Sequence, residues 1–191
     1  MTMPAMSARP GNLRTVAEEI ERATGLRVEI LGGKLVMSPT RRGKHAGVIR
    51  RLRRQLEPVL PTGLGAYEVS SIAFPDDADD YCTPDLVLLP EEWDQDDDWL
   101  ADPGDVELAV EVISTSERAK DIAGKGAWYA AAGVGLLLSI DPRRGLWALY
   151  SRPKGGEYQG VLHGEFGEDV PLPEPLGVVL DTAALPRYGT P

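Results

Sequence analysis

Residues 106–141 read VELAVEVISTSERAKDIAGKGAWYAAAGVGLLLSID. Two apolar runs, 108–113 and 136–140, flank a segment of helical character, so the stretch predicts strand, helix, strand. Gly124 and Gly126 each weaken the helix by about 1 kcal/mol relative to alanine. The helix is therefore expected over residues 118–132, with Gly133 as its C-terminal cap. Such a unit crosses over right-handed and leaves its two strands parallel. Inside the first run sits an acid, Glu111, flanked by Leu108, Ala109, Val110, Val112 and Ile113. An ionised carboxylate there is costly unless it is paired or binds a cation. The alternative is a strand-end residue that faces water.

A second acid, Asp85, opens the run PDLVLLP at residues 84–90, which reads as a buried strand bounded by two prolines. If this strand pairs antiparallel with 108–113, the start of one lies beside the end of the other, and the two carboxylates become neighbours. Side by side they repel, and one tends to keep its proton. A divalent ion removes both costs. Magnesium suits such a site, because it takes hard oxygen ligands from one or two carboxylates together with water and phosphate; manganese is a substitute. Lys125, on the following helix, is placed to reach over the carboxylates and to orient a water or stabilise charge on phosphorus. Asp121, one turn earlier, either holds Lys125 or forms a surface pair with it. Each residue has a plainer reading: Asp85 as a turn acid, Lys125 as a solvated lysine. Paired carboxylates also serve glycosidases. The lysine and a nearby arginine-rich helix favour phosphate.

Upstream, residues 1–11 read as a disordered tail, followed by one domain over 12–191. Asn12 caps a first helix with Leu13, Val16, Ala17 and Ile20 on its apolar side, ended by Gly25. RVEIL and KLVMS around Gly32-Gly33 give a hairpin, stopped by Pro39. Glu29 alternates with Val28 and Ile30, the pattern of a residue facing water. Residues 45–60 form an amphipathic helix with Val48, Ile49, Leu52, Leu56, Val59 and Leu60 buried. Its Arg50, Arg51 and Arg54 make either a solvated face or a patch for nucleic-acid phosphates.

Residues 66–74 are expected as one strand with Tyr67, Val69 and Ile72 as its apolar contributors. An acidic loop, 76–80, follows. Residues 91–105 form a polar excursion pinned by Trp93, Trp99 and Leu100; their acids do not have the spacing of a calcium loop. Further strands are expected at 146–150, 157–162 and 176–180, and a helical turn at 181–185.

The bulk numbers set limits. With 191 residues there is chain enough for a real core, and 42% hydrophobic with 26% charged content is ordinary for a globular protein. Cys82 is the single cysteine, which excludes an intrachain disulfide or a multi-cysteine zinc site. It fits a reducing cytoplasm. No apolar leader segment opens the chain. The longest uncharged run of the central stretch, 126–140, is too short to cross a bilayer. A formal charge of -10 argues against a protein that coats nucleic acid nonspecifically, but not against an enzyme with a local basic patch.

Several pieces recur together and in order: VEILGGKLVMSP with His45 shortly after, TPDLVLLP, LAVEVIS, the spaced trio Asp121, Lys125 and Tyr129, then AAGV and IDP. In these the chain resembles the Uma-type restriction-endonuclease-like family of the PD-(D/E)XK nuclease superfamily, over roughly residues 26–185. The resemblance implies an α/β fold: a restriction-endonuclease-like core with a mixed β-sheet flanked by helices. It implies Asp85 and Glu111 as catalytic metal ligands, with the carbonyl of Val112 as a third. In the wider superfamily the lysine stands two residues after the acid, where this chain has Ile113. Members of this family carry it on the next helix, which matches Lys125. Glu29 matches an early glutamate that contacts the metal or its water. His45 also matches a family position, with capping or packing as its expected role. Where the family has an acidic and aromatic stretch after its GV, this chain has Gly135 and three leucines, which leaves the ligands alone and alters packing near them.

The expected function is therefore a magnesium-dependent endonuclease of nucleic acid, DNA above all, acting as a cytoplasmic homodimer with no membrane association. The alternative is a catalytically inactive relative that keeps the fold and binds a nucleic acid or a protein. A decayed site should have lost an acid or the lysine, and this chain retains all three.

Overall fold

The computed structural model describes residues 12–38 and 42–189. Elements follow in this order: α1 (Asn12–Thr24), β1 (Arg27–Leu31), β2 (Lys34–Ser38), α2 (Gly43–Leu56), β3 (Leu64–Tyr67), β4 (Ser71–Phe74), β5 (Asp77–Cys82), β6 (Leu86–Pro90), β7 (Leu100–Ala101), β8 (Leu108–Val112), α3 (Ala119–Ala132), β9 (Leu136–Asp141), β10 (Leu146–Lys154), β11 (Glu157–Glu165), β12 (Val170–Pro171) and β13 (Val179–Leu180). The expected tail at residues 1–11 and the expected strand stop at Pro39 lie outside the described residues.

The main sheet has the order β11-β10-β9-β8-β6-β3. It is mixed: β8 and β9 run parallel, joined through α3, while β6 pairs antiparallel with β8. Alternation along β6 and β8 sorts their residues by face. Leu86, Leu88, Leu108, Val110 and Val112 join Val48, Ile49, Leu52 and Leu56 of α2 in one core. Val87, Leu89 and Ala109 join Trp128, Tyr129 and Ala132 of α3 in another. By the same period Glu111 falls on the α3 side. The left-handed Gly133 (φ 89) ends α3 as expected.

A second sheet, β2-β1-β5-β4-β7, carries α1. Val28, Ile30 and Tyr81 pack with Ala17. Gly32 and Gly33, both with positive φ, close the β1–β2 hairpin, as a two-residue turn between right-twisted strands requires. A small ribbon, β12-β13, completes the sheets. Among the described residues no helix is long and apolar enough to cross a membrane.

Several boundaries differ from expectation. Residues 66–74 are not one strand. Val69 takes a positive φ of 63 and is 68% exposed, and the chain there leaves the main sheet at β3 and enters the second at β4. The acidic 76–80 segment is the β4–β5 hairpin, not a loop. Asp79 and Asp80 are buried, and backbone amides offset their charge: Arg14 N–H reaches Asp79 at 3.3 Å, and Gly33 N–H reaches Asp80 at 2.9 Å. Helix α2 ends at Leu56, so Val59 turns out to solvent and Leu60 is half-buried. The predicted strand at 176–180 shrinks to β13, and the predicted turn at 181–185 is closed by Leu185 N–H to Thr182 O. The 91–105 excursion is pinned as expected. Trp93 Nε1 donates to Ser70 Oγ at 3.1 Å, and Trp99 meets Tyr81 edge-on at 5.0 Å.

Candidate active site

The site is assembled by alternation. On β1, Val28 and Ile30 face α1, so Arg27 and Glu29 point the other way. That side is not water. It is closed by β5, β8 and α3, and Glu29 is fully buried. On β5, Tyr81 packs towards α1 while Cys82 turns inwards to the α3 core. Lys125 and Tyr129 lie one turn apart on α3 and both face the sheet. Glu111 of β8 meets them.

The distances define a compact network. Lys125 Nζ is 3.2 Å from both oxygens of Glu111 and 3.2 Å from Glu29. Tyr129 donates its hydroxyl hydrogen to Glu111 Oε1 at 2.6 Å. Cys82 Sγ is 3.2 Å from Glu29 Oε1 and from Tyr129 Oη. Thr83 N–H donates to Glu29 Oε1 at 2.9 Å. Asp85, only 1% exposed, is hydrogen-bonded at one oxygen and flanked by His45 and Arg27 at the other. Val112 N–H donates to Oδ2 at 2.7 Å, and His45 Nε2 stands 3.1 Å from Oδ1, with Arg27 Nη1 at 3.9 Å.

Asp85, Glu111, Val112 and Lys125 line one cavity of about 1640 Å³, together with Arg27 and His45. Its lining also includes Arg42 and Lys44 at the start of α2 and Lys120 at the start of α3.

One ammonium shared between two acids sets the protonation. Burial disfavours charge on Lys125, but Glu111 and Glu29 outweigh it and hold the amine protonated. Burial also opposes charge on Glu29, yet Lys125, Arg27 and the Thr83 amide bring its pKa below the ordinary glutamate value. Glu111 is left with the deficit. Burial drives it up, Lys125 pulls it back, and repulsion from Asp85 and Glu29 carries it to about 7. Burial likewise pushes the Cys82 thiol and the Tyr129 phenol well up.

A divalent cation fits this donor set. Asp85 and Glu111 present hard oxygens to the same cavity, where the two carboxylates repel each other. Donor atoms of Glu29, Cys82 and Glu111 also lie within 4.8 Å of one another. That trio suits magnesium less, since it includes a soft thiol and Lys125 already stands between its two carboxylates.

Of the residues singled out in the sequence, Glu111, Lys125 and Glu29 are in contact, and Asp85 lines the same cavity as Glu111 and Lys125. Alternation alone predicts Glu29 facing water; β8 of the main sheet and α3 cover it instead. Asp121 is exposed, and the acids that hold Lys125 are Glu111 and Glu29. His45, expected to cap or pack, pairs with Asp85. Arg50, Arg51 and Arg54 are exposed on α2 and do not line the cavity. Sequence reasoning missed Arg27, Cys82 and Tyr188 as neighbours of the site. It also missed the contact of Tyr129 with Glu111, although the four-residue step from Lys125 was a visible signal.

Comparison with known proteins identifies the family and the fold. The sequence profile described as "Uma2: Putative restriction endonuclease" matches residues 16–183. A solved structure, titled a "putative nuclease belonging to DUF820" from Anabaena variabilis ATCC 29413, superposes with a TM-score of 0.60 at 19% identity. The match covers 78% of this chain and 83% of that one. At that identity the likeness speaks for the fold. No curated protein matches the chain.

Proposed function

The chain belongs to the Uma2 family, and on that premise we propose that it is a divalent-metal-dependent endonuclease that hydrolyses phosphodiester bonds in DNA. The observation that carries this reading is Lys125 Nζ at 3.2 Å from Glu111, in a cavity that Asp85 also lines. A hydrolytic site for phosphodiesters needs metal-holding carboxylates and a fixed positive charge beside them.

In this reading Asp85 and Glu111 hold Mg2+ or Mn2+, with the Val112 carbonyl as a further ligand. When bound, the ion supplies Lewis acidity towards the phosphodiester and a more acidic water. Lys125, protonated and desolvated, stabilises negative charge that builds on the phosphate oxygens. Glu29 fixes the lysine from behind, and the Tyr129 hydroxyl orients Glu111. Arg50, Arg51 and Arg54 contact the DNA backbone along α2, outside the cavity. Two copies acting together would cut both strands.

Supercoiled plasmid is the test substrate. The protein should nick or linearise it with Mg2+ or Mn2+ and not with a chelator. Glu111→Gln and Asp85→Asn should each lower the rate by at least about 100-fold. Equal cleavage by protein and variants would sink the reading.

A further inference from the structure

His45, on the first turn of α2, stands between two polar groups, hydrogen-bonded to one and in close charge contact with the other. Nε2 stands 3.1 Å from Asp85 Oδ1, and Nδ1 is 3.2 Å from the Tyr188 hydroxyl. A carboxylate beside the ring favours the tautomer with its hydrogen on Nε2, and the two atoms stand in close contact rather than in an aligned hydrogen bond. In the neutral ring Nδ1 is then a lone pair, and Tyr188 donates to it. Burial first, with Asp85 and Asp141 adding, pushes the Tyr188 phenol to about 12, so it stays a donor throughout the neutral range.

Tyr188 reaches this position because residues 186–189 are strapped across the molecule. Tyr188 N–H donates to Pro142 O at 3.0 Å. Lys44 Nζ donates to Arg187 O at 3.1 Å. A Cβ at Gly47 would meet the ring of Pro186 at 3.6 Å. Tyr188 and Gly189 line the same cavity as Asp85. All of this lies beyond residue 183, where the family profile stops.

We infer that Tyr188 is a positioning residue: through His45 it fixes the orientation of Asp85, and so makes the C-terminal strap part of the metal-holding device. The inference rests on the reading of Asp85 as a metal-holding residue. A ligand carboxylate works at full strength only when a partner fixes its rotamer, and loss of such outer partners typically costs 10–100-fold in metal affinity.

The test measures Mn2+ binding to the full chain by electron paramagnetic resonance, together with the ring 15N shifts of His45. Tyr188→Phe should weaken Mn2+ binding by about 10-fold and move the His45 ring towards a mixture of tautomers. Tyr158→Phe, which removes the hydroxyl bound at 2.8 Å to Val134 O, should leave both readouts unchanged. His45→Ala should weaken binding at least as much as Tyr188→Phe, and the double variant should bind no more weakly than His45→Ala alone. Tyr188→Phe with unaltered Mn2+ affinity overturns the inference, as does an equal weakening with and without His45. A parent protein that binds no Mn2+ overturns instead the underlying reading of Asp85.

Discussion

Lys125 on α3 and Glu111 on β8 meet at 3.2 Å through both carboxylate oxygens, and the same amine holds Glu29 of the other sheet. One ammonium therefore ties the two sheets together through a buried charge cluster. Such clusters contribute little net stability when complete but are costly when broken.

Lys125→Met should expose that asymmetry. The substitution keeps the bulk and leaves two buried acids without their shared partner. Urea unfolding of metal-free protein at pH 7.5 should show a loss of about 3–5 kcal/mol. Glu111→Gln in the same background should restore part of it. A loss under about 1 kcal/mol would mean that other groups, Arg27 first, carry the compensation.

Stability of the metal-free protein should fall as pH rises through the weakly acidic range. Burial lifts the Glu111 carboxyl to about 7 from its ordinary 4.5. Between these values the native state keeps a proton that the unfolded chain has lost, so stability drops with rising pH. At 1.36 kcal/mol per pH unit the drop is about 3 kcal/mol. Glu29 has the opposite sign: held low, it contributes stability above its ordinary value that disappears as pH falls through its folded value. Urea titrations from pH 4.5 to 7.5 in a chelator, compared with Glu111→Gln, isolate the first effect. Parallel curves for the two proteins would rule it out.

Cys82 should be inert in the native state. It is fully buried, and burial with the nearby Glu29 pushes its thiol well above the ordinary range. A thiol reagent such as DTNB should react only at the rate of unfolding and completely in urea. Rapid labelling of folded protein at neutral pH would show that the inner side of β5 opens to solvent.

The proposed DNA-binding role of α2 is separable from the chemistry. Changing Arg50, Arg51 and Arg54 together to alanine should weaken binding to duplex DNA evenly across sequences. It should also flatten the plot of log affinity against log salt, by about 0.9 for each phosphate that is no longer neutralised. A slope equal to that of the parent protein would place these arginines on a merely solvated face.

The β8–α3–β9 unit was legible because apolar periodicity switches from strand to helix and back, and Gly133 supplies the left-handed cap. The antiparallel neighbour β6 followed from its proline-bounded apolar run, and with it the approach of Asp85 to Glu111. Other features were not local. The break at Val69 depends on a transfer between sheets, and no residue type near it announces that. The acids at 79 and 80 read as loop residues because their partners, the amides of Arg14, Gly32 and Gly33, come from distant elements.

Glu29 marks the boundary most clearly. Strict alternation told which side of β1 it takes, since a strand has a period of two whatever surrounds it. Whether that side meets water or protein depends on what packs there, and only the tertiary structure shows α3 and β8 closing over it. The chain by itself thus determined the strand–helix–strand unit and the acids and lysine it carries. Folding in three dimensions decided which charges share a low-dielectric space, how one amine is divided between two carboxylates, and that His45 and Tyr188 stand behind Asp85. Protonation and ion pairing depend on distance and burial, and neither is a property of a residue's place in the chain.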